Sequence, residues 1–236
     1  MVLPDVPSLP VEGAVVEHPE ALIFDLDGTI VDTETPEFEA IRAVWTEHGL
    51  EYTLAQFERV IGTASGSHDW VEELGRAMDG AVDRDRALAT HRHVHARMTA
   101  ELQPRDGIVA LIEEAARAGV PMAVASNSPR WWVRARVDAV GLAPHFTSIV
   151  SIDDSSAPKP DPAPFREACA ALGVDPARSV AFEDSVTGVR SARAAGLYVV
   201  ACAGPLTLGH DLSGAHRVID SHADITLAEL GAALAR

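Results

Sequence analysis

The sequence predicts an α/β fold built round a mostly parallel sheet, with a mainly helical insert. Three observations predict it. From Ala21 onward, short continuously apolar runs alternate with helical patterns, those patterns stop at glycines, and a long stretch after the first run carries no strand pattern. Continuous apolarity is what a strand covered by helices on both faces requires, whereas a strand with one wet face alternates.

The first run, Ala21 to Phe24, leads into Asp25-Leu26-Asp27-Gly28-Thr29. From Thr33 to about Gln103 there are helical patterns at Glu37 to His48, Trp70 to Met78 and Arg84 to Leu102. An insert placed just after the first strand would form a lid over the carboxyl edge of the sheet, where open α/β folds bind ligands. Its hinges are expected near Asp32 to Pro36 and Glu101 to Asp106.

Beyond the insert, Ile108 to Ala118 reads as a helix ending at Gly119, followed by a strand at Pro121 to Ala125. The same helix–glycine ending recurs at Trp131 to Val140 before Gly141, Pro164 to Leu172 before Gly173, and Val186 to Ala195 before Gly196. Glycine suits these positions because it adopts positive φ without penalty. The remaining strands are Thr147 to Ser151, Ser179 to Phe182 and Leu197 to Cys202. The expected division is a mobile N-terminal tail over 1–19, an α/β core over 20–32 and 104–236, and the helical insert over 33–103.

Composition narrows the function classes. Hydrophobic residues are 47% and charged residues 23%, and no run of eighteen apolar residues occurs, so a soluble protein without a membrane partner is expected. The proline-rich tail lacks a basic start and an apolar stretch, unlike a secretory signal. Two cysteines, Cys169 and Cys202, are too few for a disulfide framework, so a cytoplasmic setting is expected. A net charge of −16 with 19 Lys and Arg argues against nucleic acid. It also opposes any anionic substrate unless local cations intervene.

Polar residues stand at or just beyond the carboxyl ends of the apolar runs. Asp25 ends the first and Asp27 follows; Ser126-Asn127 end the second; Glu183-Asp184 end the fourth; Lys159 lies eight residues past the third. In a parallel sheet these gather on one edge, and each type has a use in phosphoryl transfer. Gly28 lets the chain turn sharply past the two aspartates. Close carboxylates repel unless a cation intervenes, and hard oxygen donors favour Mg²⁺, held here by Asp25, Asp27 and Asp184. Asp25 is the expected nucleophile towards phosphorus and Asp27 the expected acid and base. Ser126, Asn127 and Lys159 are expected to hold phosphate oxygens.

With these motifs in order, the chain resembles the haloacid dehalogenase superfamily of phosphohydrolases, in the subgroup whose helical cap follows the first strand. The motifs are Asp25 to Asp32, Ala125-Ser126-Asn127-Ser128, Lys159-Pro160-Asp161-Pro162, and Phe182-Glu183-Asp184-Ser185 followed by Gly188 and Ala194-Ala195-Gly196. The resemblance spans Ala21 to about Ala203. It implies a doubly wound, Rossmann-like core and Mg²⁺ bound by the Asp25 side chain, the Asp27 carbonyl and Asp184, with Glu183 immediately beside or behind them.

Within the superfamily, Asp27 argues against dehalogenation, which needs no proton donor there, and the lysine-free insert argues against phosphonate cleavage through a Schiff base. A phosphatase acting on a small phosphorylated metabolite, such as a sugar phosphate or phosphoglycolate, is the expectation. The alternatives are a β-phosphoglucomutase-like phosphomutase and an inactive binding protein. The stretch Ile61 to Asp69 lacks the cation a mutase uses for a second phosphate, although Arg59 lies nearby. His91, His93 and His95 are expected to form an exposed polar helix face, and Trp131-Trp132 to serve core and interface packing. Oligomeric state is not legible.

Overall fold

The computed structural model describes residues 18–64 and 66–235. Of the expected tail, residues 1–17 lie outside the described residues. Strand β1 (Ala21–Phe24) is followed by helices α1 (Glu34–Glu47), α2 (Leu54–Phe57), α3 (Trp70–Met78) and α4 (Arg84–Thr99). Then α5 (Ile108–Arg117), β2 (Met122–Ala125), α6 (Arg130–Ala139), β3 (Ser148–Val150), α7 (Ala163–Leu172), β4 (Ser179–Glu183), α8 (Val186–Ala195) and β5 (Tyr198–Cys202) alternate. The chain closes with β6 (Arg217–Ile219) and α9 (Leu227–Leu234).

The six strands form one sheet in the order β3-β2-β1-β4-β5-β6, every adjacent pair parallel. This is the doubly wound order, with the connection reversing direction beside β1, so the carboxyl ends of β1, β2 and β4 open onto one crevice. Strand alternation divides the core. Leu22 and Phe24 pack with α5, α6 and α9 through Ile112, Val133 and Leu230. Ala21 and Ile23 face the other way, against Phe165 of α7 and Ala192 of α8.

Helices α1 to α4 have an apolar cluster of their own, built on Phe38, Trp45, Tyr52, Phe57 and Leu74. They form the helical insert expected from the sequence. Its two connections run side by side: Val31 bridges Pro104, and the Arg105 N–H donates to the Ile30 carbonyl at 2.8 Å. No helix among the described residues is long and apolar enough to cross a membrane.

The five expected strands and the helices between them are present, most ends shifting by a residue or so, but α4 stops at Thr99 rather than Leu102 and the four-residue α2 lies outside the expected helices. Four differences have physical causes. Strand β6 was not expected, because its three residues include the exposed Val218 and carry no continuous apolar run. Helix α9 was also missed, although Thr226 and Glu229 form a capping box before its apolar turn. Helix α1 starts three residues earlier than its apolar periodicity suggests, because the polar first turn tolerates Pro36. Edge strand β3 departs from the expectation of full cover, since Ser148 and Ile149 are partly exposed.

Candidate active site

Asp25 follows β1 directly, and its N–H donates to the Phe182 carbonyl at 3.0 Å, so the β1–β4 pairing holds it at the sheet edge. Lys159, on the loop between β3 and α7, is buried with it. Its Nζ donates to Asp25 Oδ1 at 2.5 Å and to Glu183 Oε1 at 2.6 Å. Asn127 fixes the lysine's main chain from both sides: its Oδ1 accepts from the Lys159 N–H at 2.8 Å and its Nδ2 donates to the Lys159 carbonyl at 3.2 Å.

Glu183 ends β4 and lies at the N-terminus of α8. Its Oε2 accepts from the N–H groups of Asp184 and Ser185 and from the Ser185 hydroxyl, at 3.1–3.3 Å. A Cβ on Gly188 would lie 1.8 Å from Glu183 Oε1, so this carboxylate occupies space that only glycine leaves open. Gly28, at φ +82°, makes a similar approach, since a Cβ there would lie 2.2 Å from Asp184 Oδ2. Asp25, Glu183 and Asp184 lie together, with ligand oxygens all within 4.8 Å of one another.

That cluster fits a divalent cation. Burial, opposed by Lys159 and reinforced by Glu183 and Asp27, pushes the Asp25 carboxyl up to about 8. Burial first, and then the charges of Asp25, Glu183 and Glu34, hold Asp184 well above the usual carboxylate range. Burial opposes the Lys159 charge, but Asp25 and Glu183 outweigh it and keep the ammonium above its ordinary value. Buried oxygen donors short of positive charge are the donor set Mg²⁺ prefers.

The Asp27 side chain does not join this cluster. Its Oδ1 accepts from the Thr33 hydroxyl at 2.7 Å and from Trp132 Nε1 at 2.8 Å; its Oδ2 accepts from the Ser128 hydroxyl at 2.6 Å and from Ser126 at 3.4 Å. Thr33 precedes α1 yet makes no side-chain cap for it, because its hydroxyl is turned to Asp27. The two aspartates therefore line one cavity in different settings, Asp25 beside an ammonium and carboxylates, Asp27 among neutral donors.

The cavity holds about 430 Å³ and lies between the sheet edge and the insert. On the insert side are Glu34 and Glu37 of α1, Trp70 of α3, and His91 and His95 of α4; on the core side stand Trp131 and Trp132. Trp70, His91, His95 and Trp132 form a continuous stack with successive ring centroids 5.2, 5.6 and 5.3 Å apart. Arg136 continues this link, stacking on Trp132 and donating to the Thr99 carbonyl at the end of α4.

Here the structure corrects two expectations. His91 and His95 do not form an exposed polar face: their side chains are only 13% and 19% exposed and both reach Glu37, at 3.1 and 3.5 Å. Only His93 of the three is exposed. Burial alone would raise Glu37, but these two imidazoles outweigh it and lower its pKa. Trp131 is 68% exposed and borders the cavity mouth, so it is not core packing, whereas Trp132 joins insert to core as expected. Arg59 turns away to Glu73 and does not line the cavity. Lys159 is the sole lysine or arginine in the lining among the described residues.

The Gly62 loop of the insert touches the core directly. Asn127 Nδ2 donates to the Gly62 carbonyl at 3.2 Å, and a Cβ at Gly62 would lie 2.8 Å from Ser185 Oγ. Sequence reasoning did not find Trp132, Glu34 or Glu37 as parts of the site. Glu34 alone left a signal, standing next to Thr33 just after the first motif.

A family model described as haloacid dehalogenase-like hydrolase matches residues 22–202. The chain is 35% identical to "Putative phosphatase YhcW" of Bacillus subtilis, over 77% of this chain and 82% of that protein. It is 28% identical to validoxylamine A 7'-phosphate phosphatase of Streptomyces hygroscopicus subsp. limoneus, over 88% and 92% of the two chains. Among solved structures, CbbY from Rhodobacter sphaeroides in complex with xylulose-(1,5)bisphosphate aligns with a TM-score of 0.72 at 30% identity, covering 90% of this chain and 99% of that one.

Proposed function

Because the chain belongs to the haloacid dehalogenase-like hydrolase family and is a phosphatase, we propose that it hydrolyses the monoester of a small phosphorylated metabolite through a phosphoryl group carried on Asp25. The observation that carries this reading is the pair of carboxylates, Asp25 and Asp27, in one cavity but in unlike settings. Unlike settings separate the roles of two acidic groups.

An Asp25 carboxylate oxygen forms a bond to phosphorus as the bond to the ester oxygen breaks, and Asp27 gives its proton to the departing alcohol. Water then attacks the phosphoryl-Asp25 group while Asp27 takes a proton back, releasing inorganic phosphate and restoring both side chains. Lys159 holds the Asp25 oxygen in place and offers its charge to the phosphoryl oxygens, with Ser126 and the main chain at Asn127 on the other side. Asp25, Asp184 and the Asp27 carbonyl implied by the family resemblance would hold Mg²⁺, backed by Glu183, and the ion would supply charge against the repulsion between phosphate and these carboxylates.

The insert, whose limits we set at 33–103, closes over this chemistry and contacts the leaving group. Relatives named for validoxylamine A 7'-phosphate and crystallised with a sugar bisphosphate support a phosphorylated sugar or comparable small ester. The absence of a second cation among the described lining residues favours hydrolysis over mutase chemistry, which must grip a second phosphate.

Phosphate release from a panel of phosphorylated sugars, glycolate, glycerol and nucleotides with Mg²⁺ tests the reading. Asp25→Asn should abolish turnover. Isomerised sugar phosphate, stimulated by a bisphosphate and without stoichiometric phosphate, would overturn it. A chain inert on the whole panel would instead be a binding protein.

A further inference from the structure

The insert side of the cavity is acidic and aromatic, and no mechanism step uses that combination. On the insert side the lining acids are Glu34 and Glu37; Asp25, Asp27 and Asp184 at the sheet edge are taken up by the chemistry, and the single ammonium in the lining is Lys159. Lys159 is already held between Asp25 and Glu183. Glu37 has its partners in His91 and His95. Glu34 differs from all of these. After burial, the charges that raise its carboxyl are Asp27, Glu37, Asp25 and Asp32, every one of them another carboxylate.

We propose that this half of the cavity selects phosphate monoesters whose alcohol bears a positive charge, an aminated sugar or cyclitol or an amino alcohol, and rejects those carrying a second anion. The inference rests on the phosphatase reading above. A cation placed by Glu34 pairs with a carboxyl that has no ion-pair partner among the described residues, in a cavity that solvent screens little. Trp131, 68% exposed at the cavity mouth, adds a surface on which an ammonium or a sugar ring can rest. A carboxylate or second phosphate at the same place finds no complementary charge. The imidazoles of His91 and His95 are turned to Glu37, His68 is beside Glu73 at 3.1 Å, and Arg59 and Arg136 point to Glu73 and Thr99.

Two matched series test it on the unmodified protein with Mg²⁺. One is glucosamine 6-phosphate, glucose 6-phosphate and 6-phosphogluconate; the other is O-phosphoethanolamine, propyl phosphate and 2-phosphoglycolate. In at least one series, kcat/KM should fall about tenfold at each step from cation to neutral to anion, one charge-assisted contact at a time. Glu34→Gln should remove most of the advantage of the amine. An equal or reversed order in both series, or an amine preference unchanged in Glu34→Gln, overturns the inference while leaving a working phosphatase. Failure to release phosphate from any of the six, and from p-nitrophenyl phosphate, would instead remove the phosphatase reading and this inference with it.

Discussion

Lys159 is the sole lysine of a chain with 19 basic side chains, so arginine serves everywhere but here. A compact ammonium fits the slot between Asp25 and Glu183, whereas a planar guanidinium with five donors does not. Lys159→Arg should therefore fold yet lose activity by about 100-fold or more in steady-state assay, despite its unchanged charge. Trp132 has a subtler role at the same scale. Its Nε1–H is one of two donors to Asp27 Oδ1. Trp132→Phe keeps an aromatic ring in the stack but removes that donor, so kcat should fall about tenfold with little change in KM, a fraction of the full acid–base contribution.

At the scale of elements, the turn from β4 into α8 does the most. Ser185 caps α8 by accepting from the Gly188 N–H, and the space over Gly188 receives the Glu183 carboxylate. Gly188→Ala forces that carboxylate aside, which should cost about 1–3 kcal/mol in denaturant unfolding and remove turnover. The Gly62 loop tests the insert in the same way. With φ +72° and Ser185 close against it, Gly62→Ala should hold the insert away from the core and raise KM more than it lowers kcat. A variant with wild-type kinetics would show that this contact does not shape closure.

For the molecule as a whole, two measurements report on stability rather than turnover. If Asp25 and Asp184 hold Mg²⁺, the ion binds only the folded chain, so saturating Mg²⁺ should raise Tm by roughly 5 °C, and Asp184→Asn should abolish the rise. Acid should destabilise the fold through His222, buried beneath the sheet against Phe182. Burial first, then the Arg105 charge, lowers its pKa from the ordinary 6.5 to about 4. Between those values the unfolded chain binds the extra proton. The contribution is thus intact above pH 6.5 and lost as pH falls towards 4, about 3 kcal/mol over the window. His222→Gln should flatten that part of a stability–pH curve; an unchanged slope would assign it to other groups.

The sequence by itself determined five of the sheet's six strands, the insert and the convergence of Asp25, Ser126, Asn127, Lys159, Glu183 and Asp184. Each of these residues ends or closely follows an apolar run, and parallel strands bring such ends to one edge whatever the loops between them do. It also held signals not used, such as the capping box that starts α9. Only the tertiary structure decided what surrounds them. The Asp27 side chain turns from the acidic cluster to Trp132, 105 residues away, and Glu37 meets His91 across 54 residues. Helical periodicity says which residues share a face but not what that face meets, so the paired histidines looked like a solvated stripe. The acidic, aromatic pocket around Glu34 exists because α1, α3 and α4 fold over the sheet edge, and this packing carries the proposed choice of substrate.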